Sequence, residues 1–177
     1  MSLWVFGYGS LIWRPGFDYL ERRRARLHGW QRRFWQGSHD HRGLPERPGR
    51  VVTLVETGEG YCDGMAYRLE EHTVARVFEN LDYREKNGYQ RFEVKLEHLS
   101  SHRDEPFPAM VYIAPTDNFA YLGPAPLADM VHQIATSHGP SGANADYLLR
   151  LAEALRDMDA DDDHVFELES AVRSYTS

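Results

Sequence analysis

The chain has 177 residues, of which 42% are hydrophobic and 27% charged, a composition typical of a globular protein and a length typical of a single domain spanning 1–177. A net charge of −7 disfavours a nucleic-acid partner, and the lone cysteine, Cys62, excludes an internal disulfide and a cysteine-rich zinc site. The sequence has no apolar run of transmembrane length and no secretion signal, so we expect a cytoplasmic protein without a membrane partner.

The first predicted element is an apolar, β-prone run from Leu3 to Trp13 that glycines interrupt at Gly7-Tyr8-Gly9-Ser10-Leu11. A strand that stops at glycines lets the backbone turn sharply, and the N–H groups of such a turn can point at one acceptor oxygen, as in an oxyanion hole. The segment suits a β-hairpin turn packed with aromatic side chains equally well. The loop alone does not separate the two interpretations.

The elements that follow change from strands to helices along the chain. Alternating or continuous apolar runs predict strands at 30–35, 51–55, 61–69, 92–96 and 109–114, with a turn at Gly58-Glu59-Gly60. Apolar residues at helical spacing predict helices over 74–81, 127–134 and 147–155, and acidic residues at 161–163 suit the start of a short last helix. This order indicates an α+β fold with an antiparallel or mixed sheet that can close into a barrel.

A second candidate site follows the first predicted helix. Glu85 stands between Arg84 and Lys86, and Tyr83 and Tyr89 flank the segment. A carboxylate held at a helix end and shielded by aromatic rings can have a raised pKa and act as a general base. On these residues alone, a simpler interpretation is favoured: an exposed glutamate in a charged helix terminus, paired with a neighbouring cation at little energetic gain.

Charge is distributed unevenly, with arginines concentrated early and aspartates late. A positive first half can attract an anionic small molecule. A solvated surface is nevertheless the favoured fate of Arg22-Arg23-Arg24.

The segments that could suggest a metal site lack complete ligand sets. Two histidines and one aspartate in Ser38-His39-Asp40-His41-Arg42 have no third histidine partner, and His98 and His102 lie where a helix is not expected. The acidic run from Asp157 has neither the glycine nor the glutamate of an EF-hand loop. We therefore expect no metal, and the absence of a phosphate loop or dinucleotide fingerprint indicates no nucleotide cofactor.

Several blocks of the sequence, some of them long and rich in aromatic residues, form a specific combination. They are Val5–Trp13, Arg32–Gly37, Asp40–Gly43, Pro48–Leu54, Tyr83–Lys86, Tyr121–Pro126 and Gly139–Gly142. In this order they resemble the ChaC-type γ-glutamylcyclotransferases, and the resemblance runs from Leu3 to about Phe166.

The resemblance implies an enzyme that releases 5-oxoproline and Cys-Gly from glutathione, built as a small β-barrel with flanking helices. It implies no metal and no organic cofactor, and nothing in the sequence indicates an oligomeric state. The residue that it assigns to catalysis is Glu85, and those that it assigns to substrate binding are Tyr8, Gly9, Ser10, Leu11, Arg42 and Tyr112.

Two positions depart from the family pattern. Asn87 stands where a glycine is common, and because asparagine tolerates positive φ, we expect the turn before Tyr89 to be kept. Ser38 stands where some members have an acidic residue, so any carboxylate role there would have to fall to Asp40.

The implied reaction needs no protein nucleophile, because the α-amine of the γ-glutamyl unit attacks its own γ-amide carbon. Glu85 would take a proton from that amine and return it to the leaving amine, while N–H groups around Ser10 would stabilise the oxyanion. Arg42 and the tyrosines are candidates for binding the substrate carboxylates.

Other functions are compatible with the same residues. A cyclotransferase for other γ-glutamyl amino acids or γ-glutamylamines would share the loop and Glu85. A non-catalytic regulator of cation transport would not need to retain both, and nucleic-acid binding through the arginines conflicts with the negative net charge. The enzyme is therefore the favoured interpretation.

Overall fold

A closed five-stranded barrel forms the centre of the computed structural model, which describes residues 3–99 and 105–176. Its strands are β1 (Leu3–Gly7), β2 (Glu21–Ser38), β3 (Gly49–Leu69), β4 (Gln90–His98) and β5 (Phe107–Ile113), in the order β1-β3-β2-β4-β5. β1 and β5 are parallel and complete the closure, whereas the other neighbours are antiparallel. The predicted α+β class with a mixed barrel is confirmed.

The turn predicted at Gly58-Glu59-Gly60 is wrong in form. β3 continues from Gly49 to Leu69, and the glycine segment is an irregularity in its pairing with β2. His28 pairs with Tyr61 and Trp30 pairs with Glu56, so the step from 28 to 30 on β2 corresponds to the longer step from 61 to 56 on β3. The glycines therefore let extra residues of β3 leave the ladder, as in a bulge, while the long partner strand β2 continues past them.

In the described part of the chain, four helices flank the barrel: α1 (Val74–Arg84), α2 (Leu127–Thr136), α3 (Asn144–Asp157) and α4 (Asp163–Thr176). A hairpin of β6 (His138–Gly139) and β7 (Gly142–Ala143) joins α2 to α3. The last three helices pack on one another and share their apolar stripes with the main core. The last helix begins at the predicted acidic run, but it is longer than expected. None of the helices in the described part of the chain is sufficiently long and apolar to span a membrane.

Helix α1 packs in a separate apolar cluster that determines where its C-terminal end lies. Val77, Phe78 and Leu81 contact Leu11 and Tyr112 among other buried residues. Because Leu11 follows the glycine loop and Tyr112 lies on β5, this cluster brings the end of α1 next to the loop and the barrel wall.

Helix α4 is attached to the barrel by a buried ion pair. Arg32 Nη1 on β2 lies 2.6 Å from Asp162 Oδ2, and Asp162 Oδ1 caps the helix by accepting a hydrogen bond from the Val165 amide over 3.1 Å. Nearby, the ring Nε2 of His164 accepts a hydrogen bond from the Phe34 amide over 3.0 Å. Burial lowers the pKa of His164 to about 4, so the ring is neutral at pH 7.

Candidate functional site

The glycine loop leaves the end of β1 and enters a short 3₁₀ turn at Ser10–Ile12. A Cβ on Gly9 would lie 2.8 Å from Val52 Cγ2 and 2.9 Å from the Tyr147 hydroxyl, so only glycine fits there. The N–H groups of Ser10 and Leu11 open the turn and have no carbonyl one turn earlier to accept them. These two amides are therefore available to an oxygen atom placed before the turn.

The side chain of Tyr8 anchors the loop to the barrel. Its buried hydroxyl donates a hydrogen bond to the Tyr112 carbonyl, and its own carbonyl accepts one from Arg32 Nε over 2.7 Å. Burial raises the pKa of the Tyr8 phenol well above its usual range. The Tyr8 side chain is therefore neutral and fixed in position, and its hydroxyl hydrogen is already donated to the Tyr112 carbonyl.

Glu85 follows the last residue of α1 and caps its end, where its amide donates to the Leu81 carbonyl over 2.8 Å. Its half-buried carboxylate makes no hydrogen bond or ion pair to any described residue. Burial raises the pKa of this carboxyl, against the opposing effect of Arg84 and His41. An unpartnered carboxylate with a raised pKa in a cavity is well suited to proton transfer.

Two adjoining cavities meet at Glu85. The inner chamber has a volume of about 40 Å³ and is lined by Tyr8, Gly9, Ser10, Leu11, Val52, Glu85, Tyr89, Tyr112 and Tyr147. The outer chamber has a volume of about 360 Å³, shares Ser10, Glu85, Tyr89 and Tyr147 with the inner one, and is also lined by Arg14, Asp40, His41, Arg42 and Arg84. The structure thus gathers the sequence-predicted residues around one site, with Arg42 in the outer chamber and the rest around the inner chamber.

Arg42 is buried and held by its backbone and its side chain. The Arg42 amide donates to the Ser38 hydroxyl over 2.8 Å, and Nη1 donates to the Ala143 carbonyl over 3.1 Å. Its guanidinium lies 5.8 Å from the ring centroid of Tyr147, and burial lowers its pKa. Ser38 therefore shapes the loop through its hydroxyl, and Asp40 lines this chamber together with Glu85.

The turn before Tyr89 is kept, as expected, but a different residue provides the positive φ. Gly88 has a φ of +97°, and Asn87 instead uses its side-chain amide to donate to the Gly37 carbonyl over 2.7 Å. The Tyr89 hydroxyl, in turn, donates to the Val52 carbonyl over 2.7 Å. Asn87 therefore ties the segment after Glu85 to the end of β2.

Tyr147 belongs to the site although its sequence position does not reveal it. Its position on the apolar stripe of α3 predicts a core residue, and it is indeed 6% exposed. Yet its hydroxyl accepts a hydrogen bond from the Val52 amide over 3.3 Å, and the residue lines both chambers. No sequence pattern distinguishes it from a phenylalanine in the same stripe.

Within residues 3–99 and 105–176, no three or more histidine, cysteine, aspartate or glutamate side chains are grouped so as to hold a metal ion. His102, one member of the pair considered above, lies outside the described residues. His41 lines the outer chamber, where its Nδ1 is 3.1 Å from the Ser141 hydroxyl.

A larger groove, of about 870 Å³, is lined by Arg22-Arg23-Arg24. Arg24 donates to the Met158 carbonyl over 2.9 Å, and Arg23 forms an ion pair of 3.0 Å with Glu21. Arg24 thereby connects β2 to the end of α3, whereas the Arg23–Glu21 pair lies within β2. The groove contains no counterpart of the glycine loop with its adjacent carboxylate.

Known proteins of one family match this chain over nearly its whole length. The sequence model of a family described as "ChaC-like protein" matches residues 3–175. The chain is 45% identical to gamma-glutamylcyclotransferase 2-3 of Arabidopsis thaliana, over 100% of this chain and 92% of that protein. It is 42% identical to glutathione-specific gamma-glutamylcyclotransferase 1 of Homo sapiens, over 97% of this chain and 78% of that protein. The chain therefore belongs to the ChaC-like family.

The structural comparison agrees with the sequence comparison. The crystal structure of a yeast gamma-glutamyl cyclotransferase specific to glutathione superposes with a TM-score of 0.93 at 32% identity, covering 98% of this chain and 96% of that one. The barrel with its flanking helices is therefore the architecture of a solved cyclotransferase.

Proposed function

We propose that this protein is a γ-glutamylcyclotransferase that cleaves glutathione to 5-oxoproline and Cys-Gly without a cofactor. We propose further that it is a single-domain protein and acts in the cytoplasm. The observation that carries the proposal is the unpartnered carboxylate of Glu85 at the junction of the two chambers, beside the glycine loop. The names of the relatives from Arabidopsis thaliana and Homo sapiens support the same reaction.

The proposed reaction begins with the transfer of a proton from the α-ammonium of the γ-glutamyl unit to Glu85. The freed amine attacks the γ-amide carbon, and the new C–N bond closes a five-membered ring. The raised pKa of Glu85 makes it a stronger base than an exposed glutamate. Because the two reacting groups belong to one molecule, correct orientation in the inner chamber supplies much of the rate.

The oxyanion of the tetrahedral intermediate is stabilised by the amides of Ser10 and Leu11. Its collapse breaks the original amide bond, and Glu85 returns its proton to the departing amine of Cys-Gly. The ring nitrogen gives up its second proton to the same amine, so 5-oxoproline leaves as a neutral lactam and Cys-Gly as an ammonium. No covalent bond to the protein forms at any step. Ser10 therefore acts through its backbone and not as a nucleophile.

The position and charge of the chambers suit this substrate. The inner chamber contacts the γ-glutamyl half, and the outer chamber, at about 360 Å³, accommodates the Cys-Gly half. Arg14, Arg42 and Arg84 line the outer chamber and balance the substrate carboxylates.

The experiment that tests this proposal is mass analysis of the products formed by the purified protein. Glutathione, γ-Glu-Ala and a γ-glutamylamine are supplied separately. We expect stoichiometric 5-oxoproline and Cys-Gly from glutathione and slower turnover of the others. Faster turnover of γ-Glu-Ala would reassign the substrate, and no 5-oxoproline from any compound would overturn the proposed activity.

A further inference from the structure

Besides Tyr8, whose hydroxyl donates to the Tyr112 carbonyl, three tyrosine hydroxyls around the inner chamber have hydrogen-bond directions fixed by their protein partners. The Tyr112 hydroxyl donates to Asp82 Oδ1 over 2.6 Å, and the Tyr89 hydroxyl donates to the Val52 carbonyl over 2.7 Å. The Tyr147 hydroxyl instead accepts from the Val52 amide over 3.3 Å. Since a tyrosine hydroxyl has a single hydrogen, Tyr89 and Tyr112 offer the chamber only acceptor oxygens, whereas Tyr147 keeps its hydrogen to donate.

Asp82 fixes the direction of the Tyr112 hydroxyl hydrogen, although Asp82 itself lines neither chamber. It lies in the last turn of α1, and its carboxylate also pairs with Arg91, 3.2 Å away. An ionised carboxylate only accepts hydrogen bonds, so the Tyr112 hydroxyl must point its hydrogen away from the chamber. Burial, together with the bond to Asp82, raises the pKa of the Tyr112 phenol, which therefore keeps this hydrogen.

The chamber now has distinct acceptor and donor groups. Its acceptors include the Glu85 carboxylate and the oxygens of Tyr89 and Tyr112, and an α-ammonium group has three N–H bonds to give them. The donors, the Tyr147 hydroxyl and the loop amides, suit the oxygen atoms of the substrate. Asp82 and Glu85 are three residues apart on the same helix end, so one turn of α1 sets both the base and the neighbouring acceptor.

We propose that Asp82 is a positioning residue that turns Tyr112 into an acceptor for the α-amino group of the substrate, and so helps to select γ-glutamyl compounds over analogues without that amine. This inference rests on the proposed γ-glutamylcyclotransferase activity. It assigns to Asp82 an effect on amine recognition that acts through Tyr112 alone.

The first test compares the kinetics of three variants with glutathione. Asp82→Ala frees the Tyr112 hydroxyl to rotate, and we expect KM to rise about tenfold while kcat stays within about threefold of wild type. The reason is that the lost contact binds the ground state and the transition state equally, and loss of such a contact raises KM without changing kcat. Asp82→Asn retains an acceptor oxygen and should restore most of the affinity. Arg91→Ala removes the other partner of Asp82 and should leave KM unchanged; a tenfold rise there would overturn the assignment to Tyr112.

The second test separates amine recognition from a structural role. Glutaryl-Cys-Gly, which is glutathione with hydrogen in place of the α-amine, is used as a competitive inhibitor. We expect its Ki to be the same for wild type and Asp82→Ala, because it has no amine to lose a contact. A Ki that rises in parallel with KM would show a general disturbance of the chamber and overturn the inference.

A double-mutant cycle completes the test. Tyr112→Phe removes the acceptor oxygen while filling the same space, and it should raise KM by itself; an unchanged KM would overturn the inference even if Asp82→Ala failed to fold. Adding Asp82→Ala to Tyr112→Phe should have no further effect, whereas additive losses would contradict an action through Tyr112.

Production of 5-oxoproline by the wild-type protein is scored in the same assay. Its absence overturns the proposed function and this inference with it, while its presence with the contrary variant results overturns only the inference.

Discussion

Arg84 donates a hydrogen bond from Nη2 to the hydroxyl oxygen of Ser10 over 3.0 Å. The same guanidinium donates through Nη1 to the Arg14 carbonyl over 3.2 Å. Arg84 precedes Glu85 in the chain, and Ser10 follows Gly9, so these bonds hold the helix end that carries the carboxylate against the loop. The two segments are far apart in sequence, and this contact makes them one site.

Removing the Ser10 hydroxyl should have a modest effect. Ser10→Ala loses one partly buried hydrogen bond, worth about 1 kcal/mol, so we expect kcat/KM to fall by less than about tenfold. Steady-state kinetics measure this effect. A loss of a thousandfold, or a glutamyl-enzyme trapped by hydroxylamine, would instead identify Ser10 as a nucleophile.

A methyl group on Gly9 should damage both stability and activity. In Gly9→Ala the new Cβ would stand 2.8 Å from Val52 Cγ2 and 2.9 Å from the Tyr147 hydroxyl. Overpacking of this kind costs about 1–3 kcal/mol, so the urea midpoint and kcat/KM should both drop.

Gly58→Ala is the matched control for that substitution, because its Cβ would meet nothing within 4 Å. It should leave both quantities near their wild-type values. Wild-type kcat/KM in Gly9→Ala would show that the close approach of the loop to Tyr147 is not needed.

The stability of the fold should fall on acidification because of His164. Above pH about 6.5 the ring is neutral in both states. In the folded protein the pKa of His164 is lowered to about 4, and its Nε2 accepts a hydrogen bond from the Phe34 amide. As the pH falls below about 6.5, His164 therefore binds a proton in the unfolded chain but not in the folded protein. The free energy of unfolding should therefore decrease by about 2–3 kcal/mol between pH about 6.5 and pH about 4.

Urea unfolding at a series of pH values tests this dependence against variants. His164→Gln can still accept from the Phe34 amide and does not titrate, so the decrease should be smaller in that variant. His138→Gln, a change at an exposed histidine, should keep the wild-type behaviour. Equal slopes for wild type and His164→Gln would remove His164 as the cause.

Local patterns predict the barrel strands and helices well because each element buries one face. The helical spacing of Val77, Phe78 and Leu81 appears in the structure as expected. The alternation in β4 appears only from Val94 onward, because Phe92 is exposed. The glycine segment at 58–60 misleads, because the pattern shows a break in a strand but not whether the chain reverses there. That outcome depends on the length of the partner strand β2, which is a long-range property.

The site was predictable only where its chemistry lies in unusual local sequence. The glycine loop and Glu85 each stand out, but on local sequence Glu85 is favoured as a surface residue until the fold brings it next to the loop. Tyr147 and Asp82 give no local signal, because an aromatic residue in a helical stripe and an aspartate in a last turn are both ordinary. Their roles come from hydrogen-bond directions at Val52 and Tyr112, which only the three-dimensional arrangement defines.

Glu85 should also determine how the rate depends on pH. Because burial raises the pKa of its carboxyl, the basic form is lost at a higher pH than for an exposed glutamate. The rate should therefore begin to fall earlier on acidification.

The most direct measurement of the central claim is the rate of 5-oxoproline release from glutathione by Glu85→Gln. Glutamine fills the same space but cannot take a proton, so we expect an intact fold and a rate at least about 100-fold below wild type. Glu79→Gln, at an exposed position of the same helix, is the control and should keep the wild-type rate. If Glu85→Gln released 5-oxoproline as fast as the wild-type protein, Glu85 would not be the group that moves the protons.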